Sequence, residues 1–260
     1  MIKYCCYHNT ERKDHMLRTI YWLTDFLIYL IYVFFAALRA EKLQKSGYTD
    51  RKRAFTQKVG QKWATRLLVK SGSKINVTGL NNIPSEGPVL IVSNHQSYFD
   101  IPLLVSIIEL PMGFVAKKEL GKLPVISRWM RLIECSFIDR KDLRQSLKAI
   151  QQAQKTLKNG QSMVIFPEGT RSKKKEMSSF KPGSLKLAQK SQVPILPIAI
   201  QGTCDIFETS NRIQPANVDV KILPLIDTEK VMEYSTGQLL SDVFDSINQE
   251  LGGSKLLTLD

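Results

Sequence analysis

The chain has 260 residues, 43% of them hydrophobic, which is enough for one α/β domain with a full core. Its 37 basic residues outnumber its 24 acidic ones and give a formal charge of +13. Such a charge implies an anionic partner, which could be a membrane surface, an anionic substrate or nucleic acid, and charge alone does not choose among them.

The first predicted element is an apolar helix from Leu17 to Ala40, with charge only at Arg18, Asp25 and Arg39. At about 1.5 Å per residue it could nearly cross a bilayer. It lacks the small-residue cleavage pattern of a secretory signal, so we expect it to stay attached. The carboxylate of Asp25 and the Tyr and Trp content favour a helix lying in the membrane interface, and a single span is the alternative.

A basic amphipathic helix is predicted next. Basic residues between Arg51 and Lys70 interleave with apolar ones such as Val59 and Trp63 at helical spacing. Joined at Ser46-Gly47, the two helices would form a membrane-anchoring hairpin over residues 1–70. The alternative for the second helix is a surface helix packed on the domain that follows.

Seven apolar runs after the hairpin are predicted to be strands, and helical patterns separate most of them. This alternation favours an α/β domain over residues 71–260, with a mixed, largely parallel β-sheet covered by helices on both faces. The predicted strands are Lys74-Val77, Val89-Val92, Gly113-Ala116, Ser136-Ile138, Met163-Phe166, Ile195-Ile200 and Val218-Leu223. The clearest predicted helices are 142–158, 184–190 and 238–251.

Several kinds of ligand site have no support in the sequence. Cys5, Cys6, Cys135 and Cys204 show no Cys-x2-Cys spacing, so we expect free thiols in a reducing compartment and no zinc site. Neither Gly-x-Gly-x-x-Gly nor Gly-x4-Gly-Lys-[Ser/Thr] occurs, so nucleotide binding of those kinds has no support.

The stretch from Asn94 to Asp100 carries a histidine and a carboxylate five residues apart, directly after an apolar run. We predict a buried strand over residues 88–93 and a helix over 96–109. His95 then lies at the carboxyl end of a strand, where open α/β sheets bind ligands. A carboxylate on one ring nitrogen fixes the tautomer, and the other nitrogen can take a proton from a hydroxyl. We therefore predict His95 as a general base and Asp100 as its orienting partner.

A second candidate stretch, Phe166-Pro-Glu-Gly-Thr-Arg-Ser172, also follows a predicted strand and should emerge at the same sheet edge. The planar fork of Arg171 suits a phosphate. Gly169 allows the backbone to come close to a ligand. Glu168 can accept a hydrogen bond from a glycerol hydroxyl or order Arg171, and a surface ion pair is the alternative.

These two stretches, with Ser136-Phe-Ile-Asp-Arg140 and Val193-Pro-Ile-Leu-Pro-Ile198, occur in an order that resembles the four motifs of the PlsC-type 1-acyl-glycerol-3-phosphate acyltransferases. The resemblance covers residues 73 to 225. One departure is a missing glycine, often found in this family a few residues before its Phe-Ile-Asp-Arg element, where this chain has Ile133-Glu134-Cys135.

The resemblance implies a reaction, its partners and a location. A fatty acyl group would pass from a thioester donor, acyl-CoA or acyl-acyl carrier protein, to the sn-2 hydroxyl of lysophosphatidic acid (1-acyl-glycerol-3-phosphate), giving phosphatidic acid without metal or cofactor. The two N-terminal helices would hold the enzyme on an anionic membrane surface, with the catalytic domain on the cytoplasmic side.

The resemblance also draws attention to two further cations as phosphate ligands. Arg140 offers a second guanidinium, and we expect Asp139 to hold it; a purely structural Asp-Arg pair is the alternative. Lys117 follows a predicted strand at a position where the family has a basic residue, and a solvated lysine is the alternative.

Two other functions are compatible with the sequence. One is a related acyltransferase acting on glycerol 3-phosphate or another lysophospholipid, since the same motifs would serve it. The other is a basic membrane-binding protein without catalysis, in which the His95–Asp100 pair would be idle. A nucleic-acid partner is not expected, because the basic residues are spread along the chain and no nucleic-acid-binding module is present.

Overall fold

The computed structural model describes the backbone of residues 3–252 and the side chains of residues 16–252, except that of Leu143. Within this range the chain forms one seven-stranded sheet with helices on both faces, preceded by a helical hairpin. The predicted α/β class is therefore confirmed. Cys5 and Cys6 lie outside the described side chains, and Cys135 and Cys204 are both buried free thiols.

All seven predicted strands are present, with ends shifted by at most one residue. They are β1 (Lys74–Thr78), β2 (Leu90–Ser93), β3 (Met112–Lys117), β4 (Ser136–Ile138), β5 (Ser162–Ile165), β6 (Ile195–Gln201) and β7 (Asn217–Ile222). The helices of the described range are α1 (Lys3–Lys45), α2 (Thr49–Ser71), α3 (Asp100–Ile107), α4 (Pro124–Leu132), α5 (Leu143–Lys158), α6 (Lys186–Ser191), α7 (Thr228–Glu233) and α8 (Thr236–Glu250). Helices α4 and α7 were not predicted.

The strand order is β1-β7-β6-β2-β5-β3-β4, with every neighbouring pair parallel except β6 and β7. Strand β2 lies in the middle, between β6 and β5, and all four of its residues are buried. Because β2 and β5 are parallel neighbours, the segments that follow them leave the sheet at the same edge. These segments carry His95 and Arg171, so the sheet brings the two predicted site stretches together.

Two apolar layers fix the helices to the sheet. On one face, Leu68 of α2 and Leu103 of α3 pack into a buried cluster with the strands. On the other face, Ala153 of α5, Leu187 of α6 and Val243 of α8 do the same. Since Leu68 belongs to the core cluster of the sheet, the second hairpin helix packs on the α/β domain as well as on α1.

The hairpin has one charged cluster inside it. Asp25 is only 8% exposed. Its carboxylate accepts hydrogen bonds from Arg66 at 2.8 and 2.5 Å and lies 3.2 Å from the Lys70 ammonium. Asp25 is therefore paired with two cations of α2, and the choice between a helix in the interface and a single span stays a prediction.

The outward side of α1 is a broad apolar surface. Its exposed large side chains are Met16, Leu17, Ile20, Tyr21, Leu23, Leu27, Ile28, Ile31, Tyr32, Phe34, Phe35 and Leu38. The segment from Met16 to Lys45 is long and apolar enough to cross a membrane by length and composition. A contiguous apolar surface of this kind marks an interaction site, and together with the chain's positive charge it indicates membrane association.

Candidate active site

The segment that leaves β2 is fixed to the neighbouring strand by Asn94. Its side-chain amide donates to the Ile200 carbonyl oxygen and accepts from the Ile200 N–H, both at 2.8 Å. Asn94 is completely buried. The amide therefore continues the β2–β6 pairing by one residue and holds His95 at the carboxyl end of β2, as predicted.

The imidazole of His95 and the carboxylate of Asp100 form the predicted pair. The Nδ1–Oδ2 distance is 2.7 Å. The same Oδ2 accepts the backbone N–H groups of Gln96 at 2.7 Å and Ser97 at 2.9 Å, while Oδ1 accepts the Thr203 hydroxyl at 2.5 Å. Four donors thus fix a carboxylate with no solvent exposure.

These bonds also explain where α3 begins. The predicted helix started at residue 96, which is wrong; α3 begins at Asp100, four residues later. The Asp100 carboxylate accepts the N–H groups of Gln96 and Ser97 and so closes a turn. Such side-chain bonds give the backbone an alternative to helical hydrogen bonds, and the helix begins only after the turn. His95 therefore lies in a turn that closes on Asp100.

Three further contacts hold His95. Its N–H donates to Glu168 at 2.6 Å, and its carbonyl oxygen accepts from the Ser172 N–H at 2.8 Å. The Phe166 ring stacks on the imidazole with centroids 4.0 Å apart and planes within 15°. The His95 side chain is 15% exposed. With Nδ1–H directed to Asp100, Nε2 is the ring nitrogen available to a substrate hydroxyl.

Glu168 is a buried carboxylate that holds two backbone segments together. One oxygen accepts the His95 N–H, and the other accepts the Ser178 N–H at 2.8 Å. Burial raises the pKa of Glu168, against the opposing effect of these two hydrogen bonds. The expected alternative that it orders Arg171 is wrong, because Arg171 pairs elsewhere. Contact of Glu168 with substrate stays a prediction.

Gly169 occupies a position whose backbone conformation favours glycine. Its φ of +75° lies in the left-handed region, and a Cβ there would also displace the end of the flexible Lys181 side chain. The turn between Glu168 and Arg171 therefore favours glycine. Its approach to a ligand stays a prediction.

Arg171 is held by two residues that the sequence did not connect to it. Its Nη1 donates to Glu208 Oε1 at 2.8 Å, and its guanidinium carbon lies 3.4 Å from the centroid of the Tyr98 ring. Tyr98 comes from the turn between His95 and Asp100, so Arg171 packs against the turn that carries these two residues. Glu208 follows β6 in a loop, and no motif in the sequence marks it.

The two remaining predicted cations lie farther along the sheet edge. Lys117 ends β3 and Arg140 follows β4, and both are exposed. At about 4.8 Å per strand, β3 and β4 are roughly 10 to 15 Å from β2. The expected Asp139–Arg140 pair is wrong: Asp139 binds the Lys118 ammonium, which lowers the pKa of the carboxyl. Their role as phosphate ligands stays a prediction.

The missing glycine before the Phe-Ile-Asp-Arg element is replaced by a strained residue. Glu134 takes a φ of +59°, a left-handed conformation that favours glycine. Its carboxylate binds Lys52 at 2.9 Å and Arg53 at 3.2 Å, both on α2. The departure from the family pattern therefore ties the hairpin to the catalytic domain.

Within residues 16–252 no group of three or more His, Cys, Asp or Glu side chains is arranged to hold a metal ion. The described site thus consists of an imidazole oriented by a carboxylate, an adjacent guanidinium and a backbone fixed by buried polar side chains. An imidazole at the carboxyl-end edge of the sheet, oriented by a carboxylate and with a guanidinium packed on its turn, is suited to deprotonating a hydroxyl of a phosphate-bearing substrate.

Comparisons with known proteins agree with this geometry. The acyltransferase family model matches residues 74–201. A probable 1-acyl-sn-glycerol-3-phosphate acyltransferase of Mycoplasma pneumoniae is 32% identical over 202 residues, covering 74% of this chain and 75% of the relative. A 1-acyl-sn-glycerol-3-phosphate acyltransferase of Borreliella burgdorferi is also 32% identical, covering 72% of this chain and 75% of the relative.

The fold agrees as well. The crystal structure of PlsC, the 1-acyl-sn-glycerophosphate acyltransferase of Thermotoga maritima, superposes with a TM-score of 0.81 at 30% identity, over 93% of this chain and 96% of that one. The chain is thus an α/β acyltransferase with a His–Asp site. It belongs to the PlsC-type 1-acyl-sn-glycerol-3-phosphate acyltransferase family.

Proposed function

We propose that this enzyme transfers a fatty acyl group from a thioester donor to the sn-2 hydroxyl of lysophosphatidic acid and releases phosphatidic acid. The observation that carries the proposal is the His95–Asp100 pair, which leaves Nε2 available and lies in the turn on which Arg171 packs. The names of the relatives from Mycoplasma pneumoniae and Borreliella burgdorferi support the same acceptor.

The chemistry follows from the imidazole. Nε2 of His95 takes the proton of the acceptor hydroxyl as its oxygen attacks the thioester carbonyl carbon. The tetrahedral intermediate then collapses, the carbon–sulfur bond breaks, and the leaving thiolate takes the proton from the imidazolium. Asp100 stabilises the positive charge on His95 between these two steps. Every atom is accounted for without a redox partner, and we expect no metal requirement.

The acceptor's phosphate would bind Arg171. Of the N–H donors of this guanidinium, Nη1 is taken by Glu208, which leaves donors for a charge-assisted contact with phosphate oxygens. Holding the phosphate there would bring the sn-2 hydroxyl toward Nε2 and so convert a bimolecular encounter into a positioned reaction. Lys117 and Arg140, farther along the same edge, would be further cations for the phosphate.

The membrane supplies the acceptor, and the hairpin would hold the enzyme on its cytoplasmic side. The exposed apolar side of α1 would be buried among lipid tails, while exposed basic side chains of α2 such as Lys58 and Lys62 would face anionic headgroups. The donor, acyl-CoA or acyl-acyl carrier protein, would arrive from the aqueous side.

The test is a donor and acceptor screen with the full-length enzyme in detergent or lipid. Labelled acyl-CoA and labelled acyl-acyl carrier protein are each offered with lysophosphatidic acid, glycerol 3-phosphate or lysophosphatidylcholine, and the products are identified by mass spectrometry. We expect phosphatidic acid with at least one donor, unaffected by a chelator. Acylation of glycerol 3-phosphate or lysophosphatidylcholine in preference to lysophosphatidic acid would overturn the proposed acceptor.

A further inference from the structure

Glu208 is a buried acid beside the catalytic turn that the mechanism so far does not use. It follows β6, two residues after the short 3-10 helix Thr203–Ile206 whose first residue bonds Asp100. Its side chain is only 4% exposed. A carboxylate buried to this extent requires hydrogen-bond donors. The donors of Glu208 come from two parts of the site, the turn after His95 and Arg171.

Three donors share its two oxygens. Oε2 accepts the Ser97 hydroxyl at 2.6 Å, and Oε1 accepts both the Tyr98 N–H at 3.0 Å and Arg171 Nη1 at 2.8 Å. Ser97 and Tyr98 lie in the turn between His95 and the start of α3. The carboxylate therefore joins Arg171 to the turn that carries the His95–Asp100 pair.

The same contacts restrict how Arg171 can move. Glu208 holds one edge of the guanidinium, and the Tyr98 ring covers one of its faces at 3.4 Å. An arginine side chain otherwise has large rotamer entropy, which binding a phosphate would have to overcome. With one edge and one face fixed, the remaining donors are already oriented when the phosphate arrives.

A negative charge near a phosphate site also has an opposing effect, because it repels the phosphate. Two observations make orientation the larger effect. The Glu208 side chain is only 4% exposed, and each of its two oxygens already accepts at least one donor. Its charge is thus shared among three hydrogen bonds and shielded from solvent, and Arg171 is the group that would contact the phosphate.

From these contacts we infer that Glu208 is a positioning residue for the acceptor's phosphate, acting through Arg171. The inference rests on the proposed function, since it assigns the phosphate at Arg171 to lysophosphatidic acid and not to a phosphate of the acyl donor.

The variant that tests it is Glu208→Gln, which keeps the shape and an acceptor oxygen but removes the charge. Steady-state constants for acceptor and donor are measured on the full-length enzyme, together with Arg171→Ala and the Arg171→Ala/Glu208→Gln double variant. Asp205→Asn is the matched control. Asp205 lies three residues before Glu208 but pairs with Lys175, so this change removes a nearby acid without touching Arg171. Thermal melting establishes that each variant is folded.

We expect Glu208→Gln to raise the acceptor KM about threefold to tenfold, since a charge-assisted bond is roughly twice as strong as a neutral one. The donor KM should change less than about twofold, as should both constants of Asp205→Asn. With Arg171 already replaced by alanine, the additional Glu208→Gln change should leave the acceptor KM within about twofold, because the residue through which it acts is gone.

Three results would overturn the inference. The first is an acceptor KM in folded Glu208→Gln that equals or lies below that of the unsubstituted enzyme. The second is a rise in the donor KM in place of the acceptor KM. The third is an equal effect of Glu208→Gln with and without Arg171. If the unsubstituted enzyme does not acylate lysophosphatidic acid, the proposed function fails first and the inference with it.

Discussion

Glu134 tests whether an ion pair or backbone strain dominates at the position where the family often has glycine. Glu134→Gly would relieve the strain of a left-handed residue, which costs about 1 to 2 kcal/mol. The greater flexibility of glycine in the unfolded chain offsets part of this gain, so the net relief is about 1 kcal/mol. Against this, the change breaks contacts to Lys52 and Arg53, whose side chains are 5% and 11% exposed.

Breaking a buried ion pair costs about 3 to 5 kcal/mol. Glu134 keeps 21% exposure and Arg53 also donates to the Asn159 carbonyl oxygen at 2.8 Å, so about 2 to 3 kcal/mol is a better figure here. The net expectation is that Glu134→Gly lowers the free energy of unfolding by about 1 to 2 kcal/mol. Urea denaturation of the purified enzyme in detergent measures this change in the free energy of unfolding.

A second variant separates the two contributions. Glu134→Ala keeps the strained backbone and loses the carboxylate as glycine does, so it should be less stable than Glu134→Gly by about 1 kcal/mol. Although burial raises it, bonds to Arg53 and Lys52 hold the pKa of Glu134 below its ordinary value of 4.5. The stabilisation is therefore present above that value and is lost as the pH falls through the lowered one. A Glu134→Gly enzyme at least as stable as the unsubstituted one at neutral pH would refute this reasoning.

Three other experiments probe the site and the hairpin. Thr203→Val should lower the free energy of unfolding by about 1 to 3 kcal/mol and reduce turnover, because the buried Asp100 Oδ1 loses its donor; unchanged denaturation and turnover would show that this bond is dispensable. Glu168→Gln places an amide N–H against a backbone N–H, so the His95 or the Ser178 N–H loses its acceptor. Denaturation should show a similar decrease in the free energy of unfolding, about 1 to 3 kcal/mol, and unchanged stability would argue against these hydrogen bonds. Leu27→Glu combined with Ile31→Glu, both on the exposed side of α1, should shift the enzyme from the membrane pellet to the supernatant, whereas Met232→Glu on α7 should not. If all of these variants pellet alike, α1 does not hold the enzyme by apolar insertion.

The sequence predicted the sheet well because the inner strands are short apolar runs, while β1 and β7 alternate polar and apolar residues. It also placed His95 and Arg171 at one edge, since both follow strands that the structure makes parallel neighbours. The hydrogen-bond partners of these residues could not be predicted from the sequence. Thr203 and Glu208 lie more than a hundred positions from the turn they bind, in a loop without a motif.

Local pairing rules failed for a related reason. Charges close together in the sequence suggested the pairs Asp139–Arg140 and Glu168–Arg171. In the structure Asp139 binds Lys118 and Arg171 binds Glu208. Glu168 accepts backbone N–H groups instead. The partner of Asp25, Arg66, was not predicted either, because it lies on the other helix of the hairpin. Side-chain partners across elements depend on packing, which periodicity in one segment does not specify.

The central claim is that His95 is the base of an acyl transfer to lysophosphatidic acid. The most direct measurement compares the turnover of the unsubstituted enzyme and of His95→Ala, with phosphatidic acid as the detected product and thermal melting as the control for folding. The account predicts that His95→Ala remains folded and loses activity by about a hundredfold to ten-thousandfold, the range expected for removing a general base. Near-normal production of phosphatidic acid by folded His95→Ala would contradict it.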